Sequence, residues 1–231
     1  AQEFAVGGYA SVERRGPLGA IVPSELAHDP DVFVLKALSD EMLFYGHERP
    51  WDERRQMHGI LIDGSASMRG VREIFGRGLA LALAKRLSLM GRSVWLRFFD
   101  SRMHRRVWAI GMRGSDLPYI LCFRSERGRH YARAFEDLVL ELKEEKAQDL
   151  SMTIISHGQC HIPQATVARL ASLASVFGVF VLPTQELALD YLPFLRGYWS
   201  VTAQDLARPE DSRRTALSLV EALSVERHER P

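Results

Sequence analysis

Cysteine is scarce: Cys122 and Cys160 are the only two among 231 residues. One possible pair cannot build a disulfide-stapled secreted scaffold, so a reducing compartment, the cytoplasm, is the expectation. Long apolar runs are also missing. Stretches such as Ala174 to Pro183 fall far short of the ~20 residues a spanning helix needs, and no basic, apolar, small-residue leader opens these residues, so no membrane insertion is expected. Neither sign of charge dominates, with 30 Lys and Arg against 29 Asp and Glu for a net charge of +1. That balance excludes a polyelectrolyte coat for nucleic acid and an acidic solvating tail. Enzyme signatures fail as well. Gly64-Ser65-Ala66-Ser67-Met68-Arg69-Gly70 is not the G-x-S-x-G nucleophile elbow, and neither G-x-x-x-x-G-K nor G-x-G-x-x-G occurs.

What is present is the balance of an ordinary globular protein, 46% apolar and 26% charged, long enough to bury roughly 70–75% of its unfolded surface. Residues 1–55 carry many breakers, among them Gly7, Gly8, Gly16, Pro17, Gly19, Pro23 and Pro30. They read as an N-terminal arm packing on the main domain, with one helix around Asp31 to Tyr45 striped by Val32, Leu35, Leu38 and Met42.

From Met57 the pattern becomes short apolar strands alternating with helices. This predicts an α/β domain over 56–231, a doubly wound, mostly parallel sheet with helices on both faces. The strands are Met57 to Asp63, Val94 to Asp100, Met152 to Ser156, Val176 to Leu182 and Tyr198 to Val201. Met103 to Ala109 alternates and is charged, which fits an antiparallel edge strand. Phe75, Leu79, Leu83, Leu87 and Met90 stripe one helix closed by Gly91, and Tyr131, Phe135, Leu138 and Leu142 stripe a second. A third runs from Pro163 to Ser175, and a last one follows Asp211 and Ser212.

Ile60, Leu61 and Ile62 lead into Asp63-Gly64-Ser65-Ala66-Ser67-Met68, and a helix follows. In open α/β sheets ligands bind at the carboxyl ends of strands, so an acid and two hydroxyls here mark a candidate site. Asp63 also suits a plainer role, accepting backbone N–H bonds where the helix starts. Strand, D-x-S-x-S-M and amphipathic helix together resemble the first motif of the von Willebrand factor A domain, whose metal-ion-dependent adhesion site uses this acid and these serines. The resemblance extends over residues 57 to 225, with Phe98-Phe99-Asp100 and Ile154-Ile155-Ser156-His157-Gly158 looking like later elements of that fold. The layout is similar to the bacterial CoxE-like members that work beside MoxR-type AAA+ ATPases.

The resemblance implies Mg2+ at Asp63, Ser65 and Ser67, with a partner's carboxylate in an open position of an oxygen octahedron. Family members complete the shell with a threonine from a Gly-Gly-Thr loop and a second aspartate. Here Arg129 stands at the threonine position and His157 at the aspartate position. Asp63 and Arg129 then cancel in charge, which predicts weak or absent metal binding, with the guanidinium taking the cation's place. Arg124, Arg127, Arg129, Arg133 and His157 become the candidate partner-binding residues. The expected function is a non-catalytic protein-interaction module, with an AAA+ ATPase or its adaptor as the partner presenting an acidic group.

Three other constellations are weighed beside it. His157, Cys160 and His161 mix zinc-type ligands without a fourth, so a structured loop is preferred. Residues 102–133 hold Arg102, Arg105, Arg106, Arg113, Arg124, Arg127, Arg129 and Arg133 against Asp116 and Glu126, a local charge of +6. Nucleic acid is therefore the alternative partner, disfavoured because stacking aromatics are sparse among these arginines. Hydrolysis through Ser67, His157 and Asp63 is the remaining alternative, and its order matches no known elbow.

Overall fold

The structure is a computed structural model that describes residues 9–14, 21–39, 41–47, 56–110, 112, 115–125, 130–145, 149–182, 187 and 189–225. The chain divides into two compact units, Ala1–Glu53 and Arg54–Pro231. In the first, strands β1 (Tyr9–Glu13) and β2 (Phe44–His47) pair antiparallel, with helix α1 (Pro30–Leu38) between them in sequence. No periodicity announces this strand pair, and the helix stops short of the stripe ending at Met42. The Glu41 N–H donates to the Lys36 carbonyl at 2.9 Å, closing the last turn. Within this unit the buried Glu25 carboxylate meets Lys36 Nζ at 2.6 Å.

The second unit runs β3 (Met57–Asp63), α2 (Val71–Leu89), β4 (Ser93–Phe99), β5 (Met103–Trp108), α3 (Asp116–Cys122), α4 (Tyr131–Glu145), β6 (Leu150–Ser156), α5 (Gln164–Leu173), β7 (Ser175–Val181), β8 (Gly197–Val201) and α6 (Pro209–Val225). Its sheet has the order β5-β4-β3-β6-β7-β8. All neighbours are parallel except β4 and β5, so the fold is the expected doubly wound α/β sheet with one antiparallel edge strand.

Both faces of the sheet are buried because apolar residues occupy both parities of each central strand. Ile60 and Ile62 pack with Phe75, Leu79 and Leu83 of α2 and Leu219 and Leu223 of α6. Leu61 packs on the other side with Phe135 and Leu138 of α4 and Leu170 of α5. Each such side chain contributes about 1.5–3 kcal/mol on burial. Gly59 is glycine for a steric reason: a Cβ there would lie 2.4 Å from Trp95 Cζ2. After α2 the chain turns at Gly91, whose φ of +81° favours glycine.

The sheet order creates the site. From β3 the chain crosses to β4 on one side, whereas β6 joins β3 on the other. The crossovers therefore leave the carboxyl ends of β3 and β6 in opposite directions, and a crevice opens between them. Among the described residues no helix is long and apolar enough to cross a membrane.

Candidate functional site

Asp63 ends β3, and the parallel register that sets Ile62 beside Ile155 brings it next to Ser156. The Ser156 hydroxyl donates to Asp63 Oδ2 at 2.7 Å, and the Ser65 N–H donates to Oδ1 at 2.8 Å. His157 follows Ser156, with Nε2 3.5 Å from Asp63 Oδ2 and 3.2 Å from the Tyr131 hydroxyl. Its Nδ1 accepts the Gln159 N–H at 3.1 Å, so the neutral ring carries its proton on Nε2, the atom facing the acid. Asp63 and His157 are 3% and 0% exposed, so this network is interior. Ser65 Oγ is buried without a hydrogen-bond partner among the described residues. Ser67 is half-buried in the short 3-10 turn Ala66–Met68.

A second buried acid pins the neighbouring loop. Asp100, just past β4, accepts the Ser125 hydroxyl on Oδ2 at 2.6 Å and the Arg102 N–H on Oδ1 at 3.1 Å, while His104 Nε2 lies 3.0 Å from Oδ2. Burial pushes this carboxyl up, but hydrogen bonds from Ser125, His104 and the Arg102 backbone outweigh it and hold the pKa below the ordinary value. Between the two acids, Phe123 stacks on Phe98 with centroids 4.2 Å apart and covers Gly64. Gly64 in turn donates its N–H to the Phe99 carbonyl at 2.9 Å. From α2, the buried Arg77 donates to the carbonyls of Leu121 and Phe123 and pairs with Glu73. Burial pushes the Tyr191 hydroxyl well up, and it donates to the Cys160 carbonyl at 2.8 Å.

The structure draws Asp63, Ser65 and His157 into one network and distributes the arginines elsewhere. Arg124 is exposed along a groove between α2 and α3 with Glu73 and Leu121, and Arg133 is exposed in a separate recess with Arg102. Arg113, Arg127 and Arg129 lie outside the described residues. Two of the five described arginines of the basic segment are answered internally. Arg106 reaches Glu141 at 2.8 Å and Glu145 at 2.7 Å on α4, and Arg105 reaches Asp116 at 2.8 Å while its guanidinium lies 4.0 Å from the Tyr119 ring centroid. Glu141 and Glu145 fall outside the 102–133 window, so a local charge count misses them.

Mg2+ takes oxygen ligands in an octahedron; here each oxygen of the Asp63 carboxylate accepts one internal hydrogen bond, Ser65 Oγ is buried without a partner among the described residues, and His157 offers nitrogen where the resemblance implies a carboxylate. Cys160 is buried whereas His161 is exposed, and no group of three or more His, Cys, Asp or Glu that could hold a metal is found among the described residues. No hydrogen bond joins Ser67 to His157 among those residues, so the components of a hydrolytic relay are not linked.

Ser156, the Tyr131 hydroxyl, Asp100 and Ser125 are the site residues that sequence reasoning missed. Strand parity holds a signal for the first. Asp63 and Ser156 each follow a strand residue that faces the α2 side, so in register both turn toward α4.

Fold and rim together define a doubly wound α/β domain whose switch point is built on an inward-facing acid. No family profile matches the sequence, and no curated protein is a significant sequence match. Among solved structures the chain is similar to the conserved hypothetical protein BatB from Bacteroides thetaiotaomicron, at 14% identity and TM-score 0.48 over 72% of this chain and 98% of that one. It is also similar to an aerotolerance-related membrane protein from Bacteroides fragilis carrying multiple mutations to serine, at 12% identity and TM-score 0.46 over 72% and 98%. A variant of the PilB minor pilin from Streptococcus sanguinis matches at 11% identity and TM-score 0.49, over 79% of this chain and 64% of that one.

Proposed function

We propose that this chain is a non-catalytic protein-interaction module of the cytoplasm that receives an acidic group of its partner at the carboxyl rim of the sheet. In this reading it is an adaptor for an AAA+ motor of the MoxR type. One observation carries the proposal: both acids of the rim, Asp63 and Asp100, are buried and satisfied from within, while Arg102, Arg124 and Arg133 stay exposed and in no ion pair among the described residues. The charge offered outward is positive, and a carboxylate is its complement.

Asp63, Ser65 and Ser67 act here as a rigid seat instead of a metal shell, and Arg129, next to His130 in the chain, supplies the cation that meets the partner. His157, fully buried, holds Asp63 from behind. The test is calorimetry of the full chain with a purified MoxR-type ATPase from the same organism, comparing wild type with Arg129→Glu. Binding by wild type and its loss on charge reversal support the reading, since reversal at a desolvated contact costs several kcal/mol. Equal binding by both proteins refutes the rim as the docking face.

A further inference from the structure

The rim holds a second feature that the Asp63 network does not use. Ser101 and Arg102, in the turn between β4 and β5, line an open recess of about 300 Å³ together with His130, just before α4, and Arg133 and Asp137 of its first two turns. Like charges brought to one recess repel unless something answers them, and elsewhere in this chain something does. Arg97 and Arg106 pair with Glu141, and Arg105 pairs with Asp116. Arg102 and Arg133 do not: they make no side-chain ion pair or hydrogen bond among the described residues, although Asp137 sits one helical turn from Arg133. Two permanent positive charges and an imidazole thus share a recess with a single carboxylate.

The donors reach the recess from two separate elements, the β4–β5 turn and the first turn of α4. A planar carboxylate is satisfied by one guanidinium fork. A phosphoryl group carries nearly two negative charges and three acceptor oxygens in different directions, which matches cations arriving from more than one side. The Ser101 hydroxyl adds a neutral donor. It now makes only a long contact of 3.4 Å to Asp100 Oδ1, an oxygen already served by the Arg102 N–H.

We propose that this recess is a phosphoryl-binding site, in which Arg102 and Arg133 clamp the group and His130 and Ser101 complete its hydrogen bonds. The phosphoryl is carried either by a small phosphomonoester or by a phosphorylated serine of a protein. The inference draws on Arg102 and Arg133, two of the exposed arginines that also support carboxylate docking at the rim, and is tested apart from Arg129.

The experiment is a titration of the full chain with inorganic phosphate at constant ionic strength, followed by calorimetry and by amide NMR shifts. Arg102→Gln and Arg133→Gln remove exposed side chains, so circular dichroism should stay unchanged. Each should weaken phosphate binding about tenfold or more, as loss of a charge-assisted hydrogen bond does. Arg213→Gln, at an exposed position of α6, which packs on the opposite face of the sheet from α4, should bind as wild type. A phosphoserine peptide and its serine and aspartate versions form the second arm. Competition between inorganic phosphate and the phosphoserine peptide supports the site and identifies a phosphorylated chain as one source. Phosphate binding without peptide binding supports it and identifies a small ester. Three results overturn it: no phosphate binding beyond a chloride control, wild-type affinity in both arginine variants, or measurable binding of the aspartate peptide as tight as that of the phosphoserine peptide. None of these bears on the ATPase binding proposed above, which Arg129→Glu tests separately.

Discussion

At Gly64 a single missing methyl decides how two loops meet. A Cβ at this position would lie 2.5 Å from Phe123 Cε1, and the ring is held between Phe98, Tyr119 and His104. Gly64→Ala should therefore push Phe123 out of its stack and cost about 1–3 kcal/mol in chemical denaturation, as overpacking does. Asp100 gives a pH-dependent counterpart. Because its folded pKa is depressed, it contributes stability above its unfolded value of about 3.9, and that contribution is lost as pH falls through the folded value. Asp100→Asn should be less stable than wild type by about 1–3 kcal/mol at neutral pH. The gap should close below about pH 4, which urea titrations at several pH values will read directly.

Among the elements, α3 depends on a side chain outside itself. It is only seven residues long, and Arg77 of α2 caps its end through the Leu121 carbonyl and the following Phe123 carbonyl. Arg77→Met would leave both acceptors and Glu73 without their cation, at an expected cost of about 3–5 kcal/mol in equilibrium unfolding. Hydrogen exchange should rise first in residues 116–123. This helix was illegible in the sequence because Pro118 reads as a breaker, although proline is tolerated in a first turn. The central strands were legible for the opposite reason. Runs such as Ile60-Leu61-Ile62 are short, rich in β-branched residues and buried on both faces, which is the pattern of a sheet strand covered by helices. At the site, the D-x-S-x-S spacing marked Asp63, Ser65 and Ser67, but the hydroxyl that binds Asp63 lies 93 residues away. Only the β3–β6 register makes Ser156 a neighbour, and register is a property of paired strands that one segment does not display.

Over the whole molecule, charge is answered locally only in part. Of the five described arginines of the basic segment, Arg105 and Arg106 are paired, with Asp116 and with Glu141 and Glu145, so the segment presents less positive charge than its composition. Binding to single-stranded DNA should accordingly be weak at physiological salt, with a shallow slope of log affinity against log salt; a steep slope would mean that several phosphates are neutralised at once.

The space left by Gly59 has an optical consequence. It houses Trp95, which is fully shielded and carries the Arg106 guanidinium 4.7 Å from its ring centroid, whereas Trp108 is 44% exposed. Trp95 should fluoresce at short wavelength and escape aqueous quenchers, while Trp108 emits to the red and is quenched. Separation of α4 from the sheet would hydrate the Trp95 indole and shift its emission, so in a variant that keeps Trp95 as the only one of the four tryptophans, light can follow the opening of that layer.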